Sequence, residues 1–183
     1  LAFLKSGVPI LLADPRGGGS GPGAGTRIAG PAGAGKTLIG MHCLFSGAEH
    51  GEPGVLATFQ ENSTQLERIA SGFGWSFEDS AVHVLGRSPV DLYVDEWVYD
   101  LLACVDRTHA RRVLVDSLGD LLMSSPDEIR FREMIYSLSQ RLARRGISLM
   151  MTHETVELFS VTRLSDFAMS HLADNVVILQ YLR

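Results

Sequence analysis

The chain has 183 residues, 45% of them hydrophobic and 20% charged, and its formal net charge is −5. This length suits one compact α/β domain and is short for two. The acidic balance argues against a broad nucleic-acid-binding surface, and no apolar run approaches the length of a membrane span. Cys43 and Cys104 both lie in apolar segments, which predicts buried free thiols and a reducing, cytoplasmic location.

We expect a single domain over residues 1–183. The first residue is not a methionine, so the chain is expected to be a fragment whose start and C-terminal extension are missing. Residues 17–25, "GGGSGPGAG", form the one compositional outlier. Such a segment is typical of a flexible linker, but the motif that follows it favours a loop leading into the first core strand.

From residue 26 onward, apolar strands alternate with helices. Strands are predicted at 26–29, 54–59, 82–85, 112–116, 147–152 and 175–180, and helices at 36–49, 63–72, 92–107 and 128–145. Near-continuous apolar strands such as "RVLVD" are typical of a sheet that is covered on both faces. The pattern therefore predicts an α/β fold with a mostly parallel central sheet and helices on both faces.

The motif "GPAGAGKT" follows the first strand and matches the Walker A pattern without a missing position. It consists of Gly30, Pro31, Ala32, Gly33, Ala34, Gly35, Lys36 and Thr37. Its glycines let backbone N–H groups surround a β-phosphate, and the positive end of the next helix points at the same anion. Lys36 adds charge for the β- and γ-phosphates, and the Thr37 hydroxyl can ligate Mg²⁺. The motif predicts binding of ATP with Mg²⁺.

The second predicted strand runs directly into Gln60 and Glu61. Ligands bind at the carboxyl ends of the strands in a parallel sheet, so both side chains are expected beside the γ-phosphate. A carboxylate there can orient or deprotonate the attacking water, which makes Glu61 and Gln60 candidate catalytic residues together with Lys36. The alternative is that Glu61 is an acidic residue at the start of the next helix, which Asn62 or Ser63 could equally cap.

Two further strand ends carry polar residues. Asp116 ends the strand "RVLVD" and is expected to hold Mg²⁺ through a water, although an Asp at a strand end can also be a cap. Thr152 and His153 end the strand "ISLMMTH", where they could sense a γ-phosphate; a satisfied surface histidine is the alternative. The basic clusters "DRTHARR" and "RLARRG" are interpreted as solvated helix C-termini and not as DNA contacts.

Over nearly its whole length the chain resembles the KaiC-type branch of the RecA superfamily of ATPases. The segment "SGVPILLADPRGGGSGPG" is similar to the family's opening S-G-x-P-G-L-D followed by G-G-G, although the G-L-D part is distorted. The other motifs follow in the family's order: Walker A, "TFQE", "FGW" at 73–75, "RVLVDSL", "MTHE" and "DNVVIL" at 174–179. The resemblance implies a RecA-like P-loop NTPase fold.

The resemblance also implies a homo-oligomeric ring, commonly a hexamer, with ATP held between subunits. In the family, paired glutamates after the second strand activate water; here the first of the pair is Gln60 and only Glu61 remains. A neutral amide cannot accept a proton, so hydrolysis is expected to be slow or to depend on Glu61. "SDFAMSHLADNVVILQYLR" is similar to an autophosphorylating domain of the family, with Ser170 at a phosphoacceptor position and His171 replacing the adjacent Thr.

The leading hypothesis is a slow or regulatory, Mg²⁺-dependent ATPase whose nucleotide state sets ring assembly or the binding of a regulatory protein partner. Two alternatives stay open. One is a RecA/RadA-like recombination ATPase that binds DNA, against which the acidic charge counts. The other is a nucleotide-dependent scaffold without turnover, which Gln60 in place of a glutamate makes credible.

Overall fold

The computed structural model describes residues 23–59, 63–88, 92–125, 127–155 and 173–181. Its elements in chain order are β1 (Gly25–Gly30), α1 (Lys36–Glu49), β2 (Gly54–Thr58), α2 (Ser63–Gly72), β3 (Val82–Gly86), α3 (Val94–Thr108), β4 (Arg112–Asp116), α4 (Leu118–Met123), α5 (Glu128–Arg144), β5 (Ser148–Glu154) and β6 (Asn175–Ile178). Each predicted strand and helix is confirmed, with ends shifted by at most a residue or two. The short helix α4 was not predicted, because one and a half turns are too short to show a helical period.

The six strands form one sheet in the order β3-β2-β4-β5-β1-β6, and every neighbouring pair is parallel. The predicted α/β class with a parallel central sheet is therefore confirmed. This order places β4, β5 and β1 side by side although they are far apart in the chain. Since the carboxyl ends of parallel strands share one edge, the residues after these three strands meet there.

Alternating strand residues pack into two hydrophobic cores, one on each face of the sheet. Leu56 and Leu114 face α1 and α2 and pack with Met41 and Leu44. Val55 and Val113 face the other side, where α3, α4 and α5 cover the sheet with large side chains that include Trp97 and Phe131. Helices therefore cover both faces, as the near-continuous apolar strands predicted.

Helices α3 and α5 lie in parallel on the same face of the sheet and are joined near both ends. Arg130 donates a hydrogen bond to Asp95 at 2.8 Å near their N-termini. Arg145 pairs with Asp106 near their C-termini. The two basic clusters do lie at or after helix C-termini, but Arg145 and Arg112 are ion-paired and not simply solvated, which corrects that part of the interpretation.

Both cysteines are buried and free, as predicted. Burial raises the pKa of the Cys43 thiol to about 11, with a smaller opposing effect of Arg112, so this thiol stays protonated at neutral pH. Among the described residues, no helix combines the length and the apolar character needed to cross a bilayer.

Candidate functional site

The phosphate-loop motif forms the connection between β1 and α1. Ala34 N donates to Pro31 O at 3.2 Å, and Gly33 and Gly35 take φ values of +73° and +89°. These left-handed conformations suit glycine because a Cβ would be strained there. Gly30 is also required by space, since a Cβ on it would lie 2.9 Å from the Leu179 carbonyl oxygen. The glycines are thus required by the backbone path of the loop.

Helix α1 begins immediately after this loop with its positive end exposed to any bound anion. Its N-cap residue is Gly35, which has no side chain to cap the first N–H groups, and the first turn carries no acidic residue. The first N–H groups of a helix lack intrahelical partners and bind anions readily. The loop and the start of α1 together could therefore hold a phosphate group.

The Lys36 ammonium lies over the loop. Its Nζ donates to Gly30 O at 3.0 Å and to Pro31 O at 2.7 Å. Both partners are neutral carbonyl oxygens, so the positive charge is not compensated by either of them. A phosphate oxygen would be a stronger acceptor for the same ammonium.

Asp116, at the end of β4, is joined to helix α1 and to strand β5 by two hydroxyl groups. Thr37 Oγ1, at the start of α1, donates to Asp116 Oδ2 at 2.8 Å. Thr152 Oγ1, on β5, donates to Asp116 Oδ1. Asp116 is 4% exposed and Thr152 is fully buried. The structure thus brings together Thr37 and Asp116, the two predicted metal-binding residues, and adds Thr152 as a partner of the same carboxylate.

The oxygen atoms of Thr37 and Asp116 are better ligands for Mg²⁺ than for a softer metal ion. Mg²⁺ prefers oxygen ligands and is usually held by one or two protein groups, waters and substrate phosphates. Among the described residues there is no group of three His, Cys, Asp or Glu side chains that could hold a metal by itself. One hydroxyl and one carboxylate beside a phosphate loop match the incomplete protein ligand set that Mg²⁺ takes with a nucleotide.

His153 is buried near the loop and is not the surface residue that was one alternative from sequence. Its side chain is 8% exposed. Burial first, and then the charges of Arg27 and Lys36, lower its pKa to about 4. The imidazole is therefore neutral at physiological pH, and it lies within electrostatic reach of the phosphate-loop lysine. Its role as a phosphate sensor stays a prediction.

The predicted catalytic residues Gln60 and Glu61 lie outside the described residues, as do Ser170 and His171. Phe59 is the last described residue before the first pair, and its N–H donates to Asp116 O at 3.3 Å. The end of β2 therefore lies beside the end of β4, at the same edge of the sheet as the phosphate loop. The roles of Gln60 and Glu61 stay predictions.

Sequence reasoning missed two residues near the loop. Arg27 is a buried cation within the core strand β1, and a charged residue inside "TRIAG" was a signal that could have been noticed. Tyr181, beyond β6, donates a hydrogen bond from its hydroxyl to Ala32 O in the phosphate loop. No sequence signal pointed to Tyr181, since the contact depends on β6 pairing with β1.

Comparisons with known proteins point to one family. The family model for the KaiC ATPase matches residues 4–183. The circadian clock protein KaiC3 of Synechocystis sp. is 32% identical over an alignment of 193 positions, which covers 97% of this chain and 37% of that protein. The circadian clock oscillator protein KaiC of Synechococcus elongatus is 32% identical over 178 residues, which cover 89% of this chain and 34% of that protein. The chain thus spans about a third of the length of these curated relatives.

Proposed function

The chain belongs to the KaiC-type ATPases of the RecA superfamily, and from this premise we propose that it binds ATP with Mg²⁺ and hydrolyses it slowly. The observation that carries the proposal is the contact of Thr37 with Asp116 at 2.8 Å directly beside a complete phosphate loop. A phosphate-binding loop, and a carboxylate that accepts a hydrogen bond from the threonine of that loop, are two of the recurring parts of P-loop NTPases.

In this proposal the loop N–H groups and the start of α1 hold the β-phosphate, and Lys36 moves from the Gly30 and Pro31 carbonyl oxygens to the phosphate oxygens. Thr37 and Asp116 would hold Mg²⁺, directly and through water; when bound, this ion neutralises charge on the β- and γ-phosphates. Thr152 keeps Asp116 in place by donating to its other oxygen.

Hydrolysis requires a group that activates water, and we assign this role to Glu61 with Gln60 orienting the water. Support comes from the contact of Phe59 N with Asp116 O, which leads the chain toward the proposed Mg²⁺ site just before these residues. With one carboxylate in place of the family's pair, turnover is expected to be slow. His153, as a neutral imidazole, is a candidate hydrogen-bond partner of the γ-phosphate.

The decisive experiment is a calorimetric titration of Mg²⁺-ATP into the wild-type protein and Lys36→Ala. Losing a charge-assisted contact to phosphate should weaken binding by roughly 10- to 100-fold. Lys36→Arg retains the charge and should recover part of the affinity, and Arg68→Ala on the exposed surface of α2 serves as the control. Unchanged affinity in Lys36→Ala would refute the phosphate-loop assignment.

The assembly and its regulation are part of the proposal. We expect a homo-oligomer, a hexameric ring, whose nucleotide state is read by a regulatory protein partner. Native mass measured with and without Mg²⁺-ATP tests the ring, and an unchanged monomer mass in both would contradict it. Autophosphorylation at Ser170 is tested with labelled ATP, and Ser170→Ala should then lose the label.

A second function, a nucleotide-dependent scaffold without turnover, is favoured by one observation, the amide of Gln60 where the family has a carboxylate. It predicts the same ATP affinity as the leading proposal but no phosphate release. A steady-state phosphate assay under conditions of full ATP binding distinguishes the two.

A further inference from the structure

The segment that follows β6 runs along the phosphate loop. β6 pairs with β1, and Leu179 N continues that pairing by donating to Ala29 O at 2.8 Å. One residue further along β1, Gly30 is so close to Leu179 that a Cβ would meet the Leu179 carbonyl oxygen at 2.9 Å. Residues 179–181 therefore form one side wall of the loop.

Tyr181 ends this wall with a direct contact to the loop backbone. Its hydroxyl donates a hydrogen bond to Ala32 O. A Cβ on the next residue, Gly33, would lie 3.0 Å from the same hydroxyl oxygen. The phenol thus lies against the peptide between Ala32 and Gly33, and about half of the side chain stays exposed.

This contact decides which way one loop N–H points. The peptide between Ala32 and Gly33 is trans, and the C=O and N–H of a trans peptide point in opposite directions. Because Tyr181 holds the C=O on its own side, the Gly33 N–H is directed away from Tyr181. Gly33 has no side chain to restrict its backbone, so without such a contact this peptide could rotate at little cost.

We propose that Tyr181 is a positioning residue of the phosphate loop, which orients the Gly33 N–H for the β-phosphate of a nucleoside di- or triphosphate. This inference rests on the proposed ATP binding and adds to it a residue outside the Walker A motif. The hydroxyl acts through the loop peptide and does not itself touch the nucleotide. The ligand class it serves is set by the β-phosphate, so a nucleoside monophosphate gains nothing from it.

The test compares Tyr181→Phe with the wild-type chain, and Tyr99→Phe serves as a matched control because Tyr99 is a surface tyrosine of α3, 75% exposed. Affinities for ADP and AMP are measured by competition against a fluorescent ADP analogue. Loss of one positioning hydrogen bond should weaken ADP binding by about 2- to 10-fold in Tyr181→Phe. AMP binding in that variant and both affinities in Tyr99→Phe should match the wild type.

Thermal unfolding of the nucleotide-free variants accompanies the titrations, because Tyr181→Phe keeps the ring and should melt as the wild type does. Equal ADP affinity in Tyr181→Phe and the wild type overturns the inference. An equal loss for ADP and AMP overturns it too, since that result indicates a general structural role. A wild-type chain that binds no ADP refutes the proposed function, and the inference with it.

Discussion

The two ends of helix α1 hold their charged groups in different ways. At the N-terminal end, here called the site end, Lys36 donates to two neutral carbonyl oxygens and Thr37 donates a hydrogen bond to Asp116. At the C-terminal end, here called the anchor end, Arg112 donates from Nε to a Glu52 carboxylate oxygen at 2.7 Å. The cation of the site end can exchange its partners for a phosphate, whereas the cation of the anchor end already has a carboxylate.

The anchor end is also closed sterically. Arg112 Nη1 donates to Cys43 O at 2.8 Å, within the last turns of α1. Gly47 makes room for the guanidinium, since a Cβ there would lie 2.5 Å from Arg112 Nε. A basic residue therefore complements the negative end of the helix dipole, while the positive end is left without a side-chain cap. One end of the helix is therefore anchored to the fold, and the other has the uncapped N–H groups that the proposed anion site requires.

The largest expected effect concerns Glu61, the residue that we propose activates water. Glu61→Gln should lower turnover by roughly 10²- to 10⁴-fold with ATP affinity little changed, because general-base assistance is lost. Gln60→Glu should raise turnover, since it restores a second carboxylate. For both variants, turnover is measured as steady-state phosphate release and ATP affinity by calorimetry. If neither substitution alters turnover, residues 60–61 do not activate water. If the wild-type chain also releases no phosphate, it is better described as a scaffold.

The second prediction concerns pH, because burial, and then the charges of Arg27 and Lys36, keep His153 neutral. Its folded pKa of about 4 lies below the ordinary 6.5, so the unfolded chain takes up a proton that the folded chain excludes. The stability that the neutral His153 contributes is fully present above pH 6.5 and is lost as the pH falls toward 4. The free energy of unfolding should drop by about 2 kcal/mol between pH 7 and pH 5 from this residue.

Urea unfolding across that pH range measures the effect. His153→Asn should flatten the pH dependence, whereas His83→Asn, which removes an exposed histidine on the edge strand β3, should retain it. If His153→Asn and the wild type lose stability equally, the buried imidazole is not the group responsible.

The third prediction concerns the hydroxyl of Thr152 on β5, which donates a hydrogen bond to Asp116. Thr152→Val keeps the shape of the buried side chain but removes the donor to Asp116 Oδ1. The Mg²⁺ concentration needed for half-maximal ATP binding should rise by about 10-fold, because a hydrogen bond to a charged group is lost. Thr152→Ser retains the hydroxyl and should stay close to the wild type. A metal dependence that is the same in all three proteins would remove Thr152 from the site.

The smallest expected effect tests the anchor end. Arg112→Met retains most of the apolar stem but loses the hydrogen bonds to Glu52 and Cys43, and should lower the free energy of unfolding by about 1 kcal/mol. ATP affinity should stay unchanged, because this end of α1 is opposite to the end that carries the proposed phosphate site. Chemical denaturation measures the free energy of unfolding, and calorimetry measures the ATP affinity. A clear loss of ATP affinity would show that the two ends of α1 are coupled and would break the comparison.

The strands and the phosphate loop could be predicted because their signals are local. Apolar runs of five or six residues mark buried parallel strands, and Gly33 and Gly35 have the positive φ values that the Walker A pattern needs. Helix α4 escaped prediction because its six residues carry no periodic signal of their own. The sequence did indicate Thr37 and Asp116 as partners, and the structure places their oxygens 2.8 Å apart.

The sequence by itself determined the α/β class, the parallel sheet, the phosphate loop and the strand-end positions of Asp116 and His153. Only the tertiary structure decided the partners across the sheet: Thr152 with Asp116, Tyr181 with Ala32, and Arg112 with Glu52. Residues 149 positions apart, as Ala32 and Tyr181 are, meet because β6 pairs with β1. Such pairings follow from strand order, which depends on how all the helices pack over the sheet and leaves no local pattern in the chain.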